Sequence, residues 1–115
     1  MNILLTGGLG YIGSHTAVEL LSNNHSVFIY DNLSNSKLSM ITSLEKITKK
    51  NINFIEGDVL DEELLYEVLQ RFNIEIVIHF AGLKSLSDSI LDPKSYQKNN
   101  VEGSLSLLKA MDRLN

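Results

Sequence analysis

Three glycines, Gly7, Gly10 and Gly13, fall at intervals of three directly after the apolar run "NILLT" (2–6). A strand, a glycine-rich turn and a helix N-terminus together make an anion site. The helix start offers unpaired N–H groups and the positive end of its dipole. In such a turn Gly7 lets the chain leave the strand sharply. Gly10 removes a side chain where a pyrophosphate must approach the backbone, and Gly13 lets the helix lie close on the sheet. The same pattern also serves a tight turn that holds no ligand, and the glycines alone leave both readings open.

Two carboxylates add to the pattern. Asp31 ends the apolar run "SVFIYD" (26–31), 18 residues after Gly13. An acidic residue there accepts hydrogen bonds from adenosine ribose hydroxyls and repels a 2′-phosphate, which selects NAD over NADP. Asp58 lies in "EGDV" (56–59), beside the place an adenine would take on the carboxyl edge of a parallel sheet. It reads equally as an aspartate at a helix entry, although Asp61 already fills that role.

Other polar residues are less telling. His79 sits inside an apolar strand and reads as a satisfied core histidine rather than a catalyst. His15 and His25 belong to no constellation. Lys84 follows "FAG" at a strand's carboxyl end, where it meets a phosphate or is simply solvated. Asn99 and Asn100 fall on the last helix and read as plain surface. No His/Asp/Glu spacing suits a metal, and there is no G-x-S-x-G.

The elements that must position these residues alternate. Strands are expected at 2–6, 26–31, 52–57 and 74–82. Helices are expected at 10–24, ending at Asn23-Asn24, at 37–50 and from Asp61 onward, with Glu62 and Glu63 in the first turn of the third. On the second helix Leu38, Ile41, Leu44 and Ile47 are expected to share one face. Leu64, Leu65, Val68, Leu69 and Phe72 form the apolar side of the third. Pro93 is placed in the first turn of a last helix reaching about residue 114. There Val101, Leu105 and Leu108 make one stripe, widened by Leu107, Ala110, Met111 and Leu114. Near-continuous apolar strands separated by helices indicate an α/β fold, a Rossmann-type doubly wound parallel sheet. Right-handed crossovers give four strands in the order 3-2-1-4. The fifth and sixth strands of such a sheet are missing, so residues 1–115 are expected to be the N-terminal part of an NAD-binding domain.

Bulk properties set outer bounds. At 115 residues the chain holds one domain at most. A net charge of −4, with no basic block beyond Lys49-Lys50, argues against nucleic acid or an anionic membrane as partner. No stretch is long enough to span a bilayer, and no signal-peptide pattern opens the chain. With no cysteine there is no disulfide or thiolate chemistry, and a cytoplasmic location fits.

The stretches "TGGLGYIGSHT", "DNLSNSK", "EGDV", "VIHFAGLKS" and "NNVEGSLSLL" closely resemble the N-terminal part of the bacterial UDP-glucose 4-epimerase family, within the extended short-chain dehydrogenases/reductases. The likeness covers essentially the whole chain. "DNLSNS" and "HFAGLK" are its narrower signatures. One departure is visible: the family usually reads "AGLKAVGES" where this chain reads "AGLKSLSDS" (81–89). By this resemblance Tyr11 and Ile12 offer backbone N–H groups to the NAD pyrophosphate. Asp31, Asn32, Leu33, Ser34, Asn35 and Ser36 surround the adenosine ribose, and Asp58 and Val59 bind the adenine edge. Phe80, Ala81, Gly82, Leu83 and Lys84 line the path toward the nicotinamide, with Asn99 nearby.

The family moves a hydride from C4 of a UDP-hexose to tightly held NAD, turns the 4-keto sugar, and returns the hydride to the other face. Its base is a tyrosine with a lysine four residues on, helped by a Ser or Thr. Here the residues four after Tyr11, Tyr30, Tyr66 and Tyr96 are His15, Ser34, Gln70 and Asn100. The pair is absent, so the chain is expected to carry half a cofactor site, no catalytic residue and no activity by itself. The resemblance also implies that helices of this region form a subunit interface, so homodimerisation or other self-association is expected. A sugar-nucleotide dehydratase fragment and a non-catalytic nucleotide-binding module are the competing readings.

Overall fold

The computed structural model describes residues 1–33, 37–80 and 102–114. Strand β1 spans Asn2–Thr6 and is followed by helix α1, Tyr11–Ser22. Then come β2 (Ser26–Asp31), α2 (Ser39–Thr48), β3 (Asn53–Glu56), α3 (Glu62–Arg71), β4 (Ile76–His79) and α4 (Gly103–Asp112). The four strands form one parallel sheet in the order β3-β2-β1-β4, as the alternation of elements requires.

Both faces of the sheet are covered, which is why the strands are apolar at successive positions. Ile3, Leu5, Val27 and Ile29 point to a core closed by Ala17 and Leu21 of α1 and Leu44 of α2. Leu4, Phe28 and Tyr30 point the other way, to Leu65, Val68 and Leu69 of α3 and Leu107 and Ala110 of α4. Asp61 caps α3 by accepting the Leu64 N–H, with Glu62 and Glu63 in the first turn. Asn24 takes a left-handed φ of 65° just beyond α1, so the Asn pair does stop that helix.

Two helices differ from expectation in what they bury. On α2 Leu44 is buried and Ile41 packs against the core, but Leu38 and Ile47 are 53% and 68% exposed. Each step of three residues falls about 60° short of a full turn, so a strict i+3 stripe walks round the helix. Leu38 and Ile47 thus end on opposite sides of the two residues that reach the core. On α4 the buried residues are Gly103, Leu107 and Ala110, whereas Leu105 and Leu108 face outward.

The regular strands β3 and β4 are shorter than expected. The β1–β4 ladder reaches one residue further, through the Phe80 N–H to the Thr6 carbonyl at 2.7 Å. The expected strand end at 81–82, Pro93 and the start of the last helical stretch lie outside the described residues. No helix among the described residues is long and apolar enough to cross a membrane.

Candidate nucleotide site at the carboxyl edge of the sheet

Register places the strand ends together. Thr6 pairs with Tyr30 on one side and His79 on the other, and Asp31 pairs with Glu56. The turns after all four strands therefore open on one edge, where ligands bind in open parallel sheets.

The turn after β1 is built by its glycines in three different ways. Gly7 has a φ of 70°, a region side chains disfavour, and its N–H continues the sheet to the Tyr30 carbonyl at 2.7 Å. A Cβ at Gly13 would lie 2.7 Å from the Gly7 carbonyl oxygen and 2.8 Å from Gly8 Cα. Gly13 thus lets α1 close on the turn's own backbone rather than on the sheet. Gly10 is different. Its φ of −71° and ψ of 173° suit any residue, and a Cβ there would meet only the Gly7 oxygen, at 3.4 Å. Little in the protein demands glycine at position 10. A close approach to the backbone from outside would.

What would approach is set by the helix end. Gly10 is the N-cap of α1 and has no side chain to cap it. The Ser14 N–H bonds the Gly10 carbonyl at 2.8 Å, and among the described residues the N–H groups of Tyr11, Ile12 and Gly13 have no acceptor. No acidic residue lies in the first turn of α1, whereas α3 brings Asp61, Glu62 and Glu63 to its own start. Helix α3 is thus self-neutralised, and α1 keeps its donors and dipole for an anion. The Tyr11 and Ile12 side chains are 80% and 57% exposed, so their backbone is what they bring to the turn. Tyr11 packs on His15 with ring centroids 4.5 Å apart, and His15 Nδ1 donates to the Tyr11 carbonyl.

Asp31 is buried beside this turn. Its Oδ2 accepts the Leu9 N–H at 3.3 Å, and its Oδ1 accepts the Leu33 N–H at 2.7 Å. Leu33 has a positive φ of 63°, so this bond holds a strained exit from β2. Asn32 is exposed. Ser34, Asn35 and Ser36 lie outside the described residues.

Asp58 closes a turn rather than capping the helix, a role Asp61 takes: Asp58 Oδ1 accepts the Leu60 N–H at 2.9 Å. Its Oδ2 carries no hydrogen bond among the described residues and stands two strands from the glycine turn, about 10 Å across the sheet. Val59 is buried under α4, where a Cβ on Gly103 would come within 2.6 Å of it, so only its backbone is available to a ligand.

His79 is satisfied, bonding Thr6 Oγ1 through Nδ1 and Ser104 Oγ through Nε2. Phe80 is half-buried against the α1/α2 core. Ala81, Gly82, Leu83, Lys84 and Asn99 lie outside the described residues. Sequence reasoning passed over Gly8, where a Cβ would stand 3.0 Å from Ile29, and Gly57, where it would stand 2.6 Å from the Tyr30 ring. Among the described residues no group of three His, Asp or Glu could hold a metal ion.

Residues 4–115 match the family described as GDP-mannose 4,6 dehydratase. A UDP-glucose 4-epimerase of Klebsiella pneumoniae is 50% identical over 111 residues, covering 96% of this chain and 80% of that protein. One from Neisseria meningitidis is 48% identical over 112 residues, covering 97% of this chain but 33% of its own length. Among solved structures, the UDP-glucose 4-epimerase of Stenotrophomonas maltophila superposes with a TM-score of 0.95 at 42% identity, over 97% of this chain and 33% of that one. That structure holds NAD and formylated UDP-arabinopyranose. The chain thus spans about a third of the length of the Neisseria and Stenotrophomonas proteins.

Proposed function

The chain belongs to the UDP-glucose 4-epimerase family, to which the matching GDP-mannose 4,6 dehydratase family is related, and from that premise we propose that it forms the NAD-binding part of an enzyme interconverting UDP-glucose and UDP-galactose. The observation that carries the proposal is Gly10: a residue with ordinary backbone angles and room for a Cβ is glycine, beside three N–H groups with no acceptor among the described residues.

In this reading the N–H groups of Tyr11, Ile12 and Gly13 receive the pyrophosphate, and the α1 dipole offsets its charge. Asp31 accepts the adenosine ribose hydroxyls and repels a 2′-phosphate, and Asp58 faces the adenine. Bound NAD supplies a reversible hydride acceptor. The residues named here bind and orient it; none moves a proton. No Tyr-x-x-x-Lys pair occurs in the chain, so the base for sugar oxidation is not among its residues. UDP-hexoses are the proposed substrates of the enzyme. Self-association through the outward leucines of α4 is part of the same proposal.

Thermal unfolding with added nucleotide tests the reading. NAD at about a hundred times its Kd adds ~2.7 kcal/mol to the stability of a chain that binds it. A midpoint raised by several degrees is expected, and a midpoint unmoved by millimolar NAD overturns the proposal.

A further inference from the structure

Tyr30 lies between the two carboxylates of the site and belongs to neither. It precedes Asp31 on β2 and points to the opposite face of the sheet, where it is fully buried. Its ring covers Gly57: a Cβ there would come within 2.6 Å of both Cζ and Oη. Its hydroxyl reaches past Gly57 and donates to the Asp58 carbonyl at 2.7 Å. The same carbonyl accepts the Asp61 N–H at 2.9 Å, and the Gly57 N–H bonds the Asp31 carbonyl at 3.1 Å.

The turn that presents Asp58 is therefore held from beneath by β2, at one point by main chain and at another by a phenol. A phenylalanine would fill the same core. The hydroxyl is needed only for the carbonyl it meets, and an unpaired buried phenol would be costly. Burial, with the Asp61 and Asp58 carboxylates nearby, raises the Tyr30 pKa, so the phenol stays a donor throughout the neutral range.

We propose that Tyr30 is a positioning residue for base recognition, fixing the height of the Asp58 turn so that the Asp58 carboxylate meets the amino group of the bound adenine. The inference rests on the reading that this chain binds NAD. An adenine donates from its 6-amino group to a carboxylate, whereas hypoxanthine presents an oxygen there and is repelled. Correct placement of Asp58 is thus read as a preference between two dinucleotides that differ at one atom.

The test is calorimetric titration of the chain with NAD and with nicotinamide hypoxanthine dinucleotide. Tyr30→Phe keeps the ring and removes the hydroxyl. The wild-type chain is expected to prefer NAD. The variant is expected to remain folded and to lose about fivefold of that preference, the weight of one hydrogen bond. In an Asp58→Asn background the same change is expected to leave the preference unmoved, because the two residues act as one unit. Equal weakening of both nucleotides by Tyr30→Phe would show a purely structural tyrosine and overturn the inference, as would an unchanged preference. A wild-type chain that binds neither nucleotide would instead overturn the NAD reading itself, and the inference with it.

Discussion

Asp31 Oδ2 accepts the Leu9 N–H at 3.3 Å, so the carboxylate that ends β2 also holds the turn that leaves β1. Through Oδ1 it holds Leu33 as well, at 2.7 Å. One side chain therefore shapes the glycine turn and the exit from β2. In the proposed function it also accepts the ribose hydroxyls, and its charge repels a 2′-phosphate.

Asp31→Asn removes the charge and keeps only one of the two backbone holds. An amide keeps one oxygen acceptor for a backbone N–H and loses the charge. NAD binding is expected to weaken by ~1.5–3 kcal/mol, the range for a charge-assisted hydrogen bond. NADP binding is expected to weaken less or to improve. Parallel titrations with both nucleotides check this, and an unchanged NAD/NADP ratio would remove Asp31 from the ribose site.

Much of this arrangement was legible in the sequence, for identifiable reasons. The strand order followed from apolar runs alternating with helical patterns, and Asp61 showed itself as a cap by the acidic turn behind it. The double hold of Asp31 was not legible. Its partners are backbone N–H groups, which carry no residue signature. Gly57 and Gly8 escaped notice because each is fixed by a side chain from another strand, Tyr30 and Ile29. That α4 would keep an uncovered apolar face was legible, but which residues turn outward, Leu38, Ile47, Leu105 and Leu108, was not, because equal hydrophobicity does not say which residues the sheet will meet.

Tyr30 also gives a pH signature. Its pKa in the folded chain is raised, by burial first and then by Asp61 and Asp58, above the ordinary value near 10. An unfolded chain then loses the phenolic proton first as pH climbs. The stability tied to Tyr30 is full below about pH 10 and is lost as pH rises beyond it. Denaturant unfolding between pH 8 and 11 is expected to fall off less steeply for Tyr30→Phe than for wild type. Parallel curves would contradict the assignment.

Leu105 and Leu108 are 50% and 60% exposed on α4, with Met111 and Leu114 at 38% and 41% beside them. At about 100 μM the 115-residue chain is expected to scatter light as more than a monomer, since such apolar patches mark contact surfaces. Leu105→Lys with Leu108→Lys is expected to lower that mass. The chain is also expected to leave UDP-glucose unconverted. A monomeric mass for the unsubstituted chain would contradict the first expectation, and turnover the second.

In the proposed function the glycine turn is shaped for a ligand and not only for the fold. Gly10→Val tests this most directly, because a Cβ at position 10 meets only the Gly7 oxygen within the protein, at 3.4 Å, while the added side chain is expected to obstruct the approach to the backbone N–H groups that start α1. Calorimetric titration with NAD, paired with circular dichroism, is the measurement. A variant that keeps the wild-type spectrum and gives no binding heat is the predicted result. A folded variant that binds NAD as tightly as wild type would contradict it and leave the turn a purely structural feature.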